Sequence, residues 1–137
     1  MSFQNPTDET IRAILSTPQT IAVMGCSPSP DRDSHRIAQL LQRKGHRMIP
    51  VNPGHEEILG EKCYPTLRDI PVQIDMVDIF RRSEFVAPIV DEAVAVGAKI
   101  VWMQLGVIDA EAAKKAQQAG LIVVMDRCPA IEYRRLF

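Results

Sequence analysis

Thr20-Ile21-Ala22-Val23-Met24-Gly25-Cys26-Ser27 is the stretch on which the fold turns. Apolar residues run without alternation into a glycine, the pattern of a short strand covered on both faces. The polar turn that follows leads, near Ser34, into a segment with Ile37, Leu40 and Leu41 on one face, which Gly45 closes. Apolar residues at that spacing, ended by glycine, predict a helix over 34–44. Strand, glycine turn and helix are the opening of a β-α-β unit.

The same alternation continues along the chain. Apolar runs at 48–52, 76–80, 100–103 and 121–125 predict four more strands. Helices are predicted at 85–96, with Pro88 in the first turn and Gly97 at the end, and at 109–119, with Asp109 as cap and Gly120 as stop. Another is predicted at 7–15, where Pro6, Asp8 and Glu9 suit a helix start, and a short one at the C-terminus. Residues 52–74 are the least regular, with one short helix expected near Leu67. Strands alternating with helices imply right-handed crossovers and a parallel sheet covered on both faces. The expected architecture is a Rossmann-like three-layer α/β fold with a five-stranded parallel sheet, in order 3-2-1-4-5 rather than the flavodoxin-like order.

With 137 residues the chain is expected to form one domain, 1–137, large enough for a substantial core. Sixteen Lys and Arg against seventeen Asp and Glu leave a net charge of −1, which argues against a nucleic-acid or membrane-surface binder. Cys26, Cys63 and Cys128 are odd in number and widely spaced, so a disulfide framework is not expected and a reducing, cytoplasmic setting is. Residues 1–10 are polar and lack the apolar core of a secretory signal, and the apolar runs are too short to span a bilayer.

Open parallel sheets bind ligands beyond the carboxyl ends of their strands. Here those ends carry Gly25-Cys26-Ser27, Asn52-Pro53-Gly54, Arg81-Arg82-Ser83, Gln104-Leu105-Gly106 and Asp126-Arg127-Cys128-Pro129. Arginines and small polar groups on one edge suit an anion. Gly25 permits a tight turn, Ser27 offers a hydroxyl, and the free N–H groups of a helix starting near Ser34 attract phosphate. Arg32 and Arg36 lie where guanidinium groups can pair with phosphate oxygens. A nicotinamide site would need G-x-G-x-x-G, of which only Gly25 is present, and an acid at the end of the second strand, where Val51-Asn52-Pro53 has none.

Taken together, the runs 21–27, 51–53, 78–81, 102–107 and 126–129 resemble the small bacterial and archaeal CoA-binding proteins. Their fold is similar to the N-terminal CoA-binding domain of the succinyl-CoA synthetase alpha subunit. The resemblance extends over about 11–132. It implies that Gly25, Cys26 and Ser27 cradle the pyrophosphate of coenzyme A or an acyl-CoA, with Arg36 close behind. It places Val51, Asn52 and Pro53 at the adenosine end, and Phe80 and Arg81 beside the nucleotide. Gln104, Leu105 and Gly106, with Cys128 and Pro129, would border the pantetheine exit. Cys26 stands where the family usually has alanine, which would add a thiol near the phosphates. His35, His46 and His55 match no phosphorylated-histidine motif, so a complete ligase is not expected.

Other residues invite chemistry more weakly. Cys128, beside Arg127 at a helix start, suits a reactive thiol or simply shapes a turn. The histidines are dispersed without metal-ligand spacing, and His55 is expected in solvent. Asp75 and Asp78 are expected in structural or edge roles, Trp102 in the core, and Lys114-Lys115 on a solvated face. The expected activity is binding of a CoA-type molecule without an evident catalytic centre. The alternatives are a small thiol-dependent acyl-transfer or redox enzyme using Cys128 or Cys26, and a CoA-responsive interaction module.

Overall fold

The structure, a computed structural model, describes residues 3–137. Helix α1 (Asp8–Ser16) precedes strand β1 (Thr20–Met24), helix α2 (Asp33–Arg43) and strand β2 (Arg47–Val51). A small hairpin, β3 (Glu57–Ile58) and β4 (Glu61–Lys62), and a 3-10 turn (Leu67–Asp69) then lead to β5 (Met76–Ile79). The remainder is α3 (Val86–Ala95), β6 (Ile100–Met103), α4 (Ala110–Gln118), β7 (Ile122–Val124) and α5 (Pro129–Leu136). The predicted elements therefore form within one or two residues of their expected limits. Their starts are chemically marked: Thr7 Oγ1 accepts from the Thr10 amide, and Asp109 Oδ1 from the Ala112 amide.

The main sheet is parallel throughout, in order β2-β1-β5-β6-β7. Among its five strands alone, counted in chain order, this is 2-1-3-4-5. The fold class is the expected α/β one; the strand order 3-2-1-4-5 is corrected. In that order β2 would be flanked on both sides, yet Pro50 in β2 has no N–H to give a second neighbour. Pro50 instead turns its carbonyl outward to the Tyr64 amide, and the Asn52 amide donates to the Tyr64 carbonyl. That single bridge occupies the outer edge of β2. With no crossover helix after β2, the chain returns past it and pairs β5 with the other side of β1, where Asp75 Oδ2 accepts from the Thr20 amide at 2.8 Å. The hairpin was not anticipated, because two-residue strands carry no periodicity; its turn is Leu59-Gly60, both at positive φ.

Side chains of alternating strand residues fill two cores. Val77, Ile79, Val101 and Met103 pack under α3 and α4. Ile21, Val23, Met76 and Trp102 pack under α1, α2 and α5. Trp102 is fully buried, as expected, with its indole N–H donated to the Arg127 carbonyl. At roughly 1.5–3 kcal/mol for each large apolar side chain removed from water, these cores hold the strand ends in place against the entropy of the loops. Among the described residues no helix is long and apolar enough to cross a membrane.

Candidate functional site

The site begins where β1 stops. Gly25 adopts φ 81°, and a Cβ there would lie 2.4 Å from the Phe80 carbonyl oxygen. The glycine is thus needed because the β1 and β5 turns approach each other, not only to admit a ligand. Its amide donates to Val51, and Asn52 Nδ2 donates to the Cys26 carbonyl, so β2 braces the turn. Ser34 Oγ accepts from the Ser27 amide, Ser27 Oγ from the Ser29 amide, and His35 Nδ1 lies 2.9 Å from the Ser27 carbonyl. The loop is pre-organised by its own polar groups. Arg32, the residue before α2, makes no side-chain cap, leaving the first-turn amides of the helix open at this end of the sheet.

Two adjoining recesses sit on this edge. The smaller, about 370 Å³, is lined by Gly25, Asp31, Arg32, Asp33, Ser34 and Phe80. The larger, about 450 Å³, is walled by Ile37, Phe80, Leu105, Val107 and Cys128, with Arg36, Arg81, Arg82 and Gln104 as polar groups, and it too touches Asp33. Phe80 and Asp33 therefore stand between them. The Arg81 guanidinium lies 4.8 Å from the Phe85 ring centre, and Arg36 pairs with Asp33 and donates to the Asp31 carbonyl at 2.8 Å. Four guanidinium groups face two carboxylates here, which leaves the edge net positive.

The structure gathers Gly25, Arg32, Arg36, Phe80, Arg81, Gln104, Gly106 and Cys128 around these recesses. Ser27 and Asn52 stand beside them in the bracing network. Val51 is buried in the sheet, Pro53 is exposed on the loop after β2, and Pro129 is buried in the first turn of α5; none of the three lines either recess. Cys26 requires a correction. Its side chain is fully buried in the core, and burial raises the thiol to about 12, with Cys63 and Asp78 adding to the shift. Only its backbone faces the turn, so no Cys26 thiol stands near an anion. His55 is exposed, and Lys115 pairs with Asp91 on the surface, as expected of both.

Of the structural or edge roles expected for Asp78, the edge one does not hold. β5 is the central strand, and the Asp78 carboxyl is fully buried rather than at an edge. Gln104 Nε2 donates to Oδ1, while Oδ2 has no partner. Burial raises the carboxyl to about 7, against the opposing effect of the Gln104 amide. An acid in the middle of the apolar run 76–80 was the sequence signal. Leu105 lines the larger recess as the resemblance implied, whereas Ile37 and Val107 were missed because apolar residues on a helix face or just past a strand look like core.

The chain as a whole is similar to known proteins. A family profile described as CoA binding domain matches residues 19–134. The uncharacterized protein YneT of Bacillus subtilis is 39% identical over 126 residues, covering 92% of this chain and 93% of that protein. A solved structure of a hypothetical protein from Pyrococcus horikoshii OT3 superposes with a TM-score of 0.91 at 44% identity, covering 99% of each chain. The acetate–CoA ligase (ADP-forming) II of Archaeoglobus fulgidus is 33% identical over 87 residues; the match takes in 62% of this chain but 13% of the ligase.

Proposed function

The chain belongs to the CoA-binding domain family, related to the CoA-binding domains of ADP-forming acetate–CoA ligases, and from that premise we propose that it binds coenzyme A or an acyl-CoA along the carboxyl edge of its sheet. The observation that carries the reading is the pair of adjoining recesses at the open start of α2. The smaller recess suits phosphates: first-turn amides and Arg32 converge there, and the closely packed Gly25 turn leaves no side chain in the way. The larger is mainly apolar with few polar groups, which suits a flexible arm of methylenes and amides leading to a thiol or thioester. Arg36, Arg81 and Arg82 line it where charge from the phosphates extends.

In this reading 1–137 acts as one binding domain, and the protein holds its ligand without transforming it. The edge itself supports this ligand class. β2 ends in Val51-Asn52-Pro53, without the carboxylate that would hold ribose hydroxyls and repel a ribose phosphate. The three thiols are free, which suits a reducing compartment such as the cytoplasm.

A thermal-shift panel of coenzyme A, acetyl-CoA, NAD, NADP and FMN tests the proposal. A ligand at 100 times its Kd stabilises the folded chain by about 2.7 kcal/mol, a readable rise in Tm. The expected result is a shift with coenzyme A and acetyl-CoA alone. A shift with NAD and none with coenzyme A overturns the reading.

A further inference from the structure

Buried carboxyls are costly, and Asp78 is met by one amide only. Taking such a group out of water costs several kcal/mol unless its hydrogen bonds are replaced. Here one replacement exists, Gln104 Nε2 to Oδ1, and Asp78 Oδ2 is left without a partner among the described residues. A purely structural position facing Val23 and Trp102 would be served as well by an apolar side chain. The acid therefore has a consequence beyond packing, and that consequence lies in Gln104.

Asp78 Oδ1 accepts from Gln104 Nε2, so Gln104 turns its amide N–H inward. The other end of the planar amide, Oε1, accepts no bond from the described residues and is not among the fully buried, unpartnered atoms. Gln104 lines the larger recess. The amide end not turned to Asp78 is therefore an acceptor, on a residue that lines the recess together with the apolar Ile37, Leu105 and Val107.

Building on the proposed function, we propose that Gln104 selects the ligand's arm by accepting a hydrogen bond from one of its amide N–H groups, with Asp78 as the positioning residue. A secondary amide of a pantetheine-type arm carries the required donor. Phosphate and thioester oxygens offer only acceptors to this carbonyl and are turned away from it. Nucleotide cradle and arm are then recognised by separate groups, the first by backbone and arginines, the second by one oriented side chain.

Titration calorimetry of the full chain with two probes separates them: coenzyme A, and adenosine 3′,5′-bisphosphate, which has no arm. Gln104→Leu is expected to weaken coenzyme A by roughly 2- to 12-fold, the span of one neutral hydrogen bond, while the bisphosphate binds as before. Asp78→Leu is expected to produce the same selective loss. Asp78→Asn retains an oxygen that can accept from Gln104 Nε2 and is expected to stay within about twofold of the wild type. Rescue by the amide distinguishes positioning from packing, because a packing defect lowers both ligands together. Should Asp78→Leu fail to fold, Gln104→Leu and Asp78→Asn still decide. Unchanged coenzyme A affinity in Gln104→Leu, or an equal loss of both probes, overturns the inference while the proposed function stands. Failure of the wild type to bind either probe overturns the proposed function itself.

Discussion

Replacing the hydrogen on Gly25 by a methyl group would set a carbon 2.4 Å from the Phe80 carbonyl oxygen, at a φ of 81°. The left-handed conformation alone costs an L-residue about 1–2 kcal/mol, and the contact with rigid backbone adds to it. Gly25→Ala is therefore expected to lower stability by at least that amount and to weaken coenzyme A binding, since β1 and β5 must separate at the cradle. Chemical denaturation and calorimetry check both; wild-type stability would mean the two turns move apart freely. Asp78 gives a second residue-scale expectation. Its carboxyl lies at about 7 in the folded chain against 3.8 when free. The folded state holds the proton more tightly, so the contribution to stability is whole below about pH 4 and is lost as pH rises through 7. Asp78→Asn does not titrate. Relative to wild type it should gain stability between pH 4 and pH 8, by on the order of 4 kcal/mol. Denaturation curves at pH 5 and pH 8 that differ equally between the two proteins would exclude this.

Between elements, one hydrogen-bonded chain ties three segments at the amino end of the sheet. The Gln19 amide donates to His46 Nδ1, His46 Nε2 lies 2.8 Å from Tyr133 Oη, and Tyr133 donates to the Leu15 carbonyl. The accepting Nδ1 needs a neutral ring, and burial holds the His46 pKa below its ordinary 6.5. The stabilising contribution is present above about pH 6.5 and is lost as pH falls below it. Tyr133→Phe leaves the Leu15 carbonyl without its donor and the His46 N–H without an acceptor, and should cost about 1–3 kcal/mol at pH 7.5. A variant as stable as wild type would show that water replaces the phenol. Element limits were readable because caps and glycines act locally: Thr7, Asp109, Gly45 and Gly97 mark ends within one turn of their own backbone. The edge position of β2 was also present in the sequence, as Pro50, and was overlooked in expecting a neighbour on both sides.

Across the whole molecule the near-neutral net charge conceals an uneven surface. Arg32, Arg36, Arg81 and Arg82 gather at one end of the sheet, opposed by Asp31 and Asp33. These charges are mostly solvent-exposed, so their attraction for a polyanion is screened as the Debye length falls from about 10 Å at 0.1 M salt to about 3 Å at 1 M. Coenzyme A affinity should therefore decline steadily with added salt, and more steeply than that of an uncharged pantetheine fragment. Calorimetry across a salt series checks this; a flat response would remove the arginines from the site. The strand ends were legible as the ligand-bearing edge, since parallel topology sends every strand's carboxyl end the same way. Which groups at those ends remain free was not. The Ser27 amide is taken by Ser34, the Cys26 thiol turns into the core, and Gln104 is oriented by an acid one strand away.

Local pattern by itself determined the class of this fold, the place of its turns and the edge that carries its polar residues, because periodicity and turn chemistry act over a few neighbouring residues. The partner of β1 on its second side, the burial of Asp78 and the orientation of the Gln104 amide were decided only by tertiary structure. Each depends on groups far apart in sequence, such as positions 78 and 104, whose burial and hydrogen bonds exist only once the sheet has assembled.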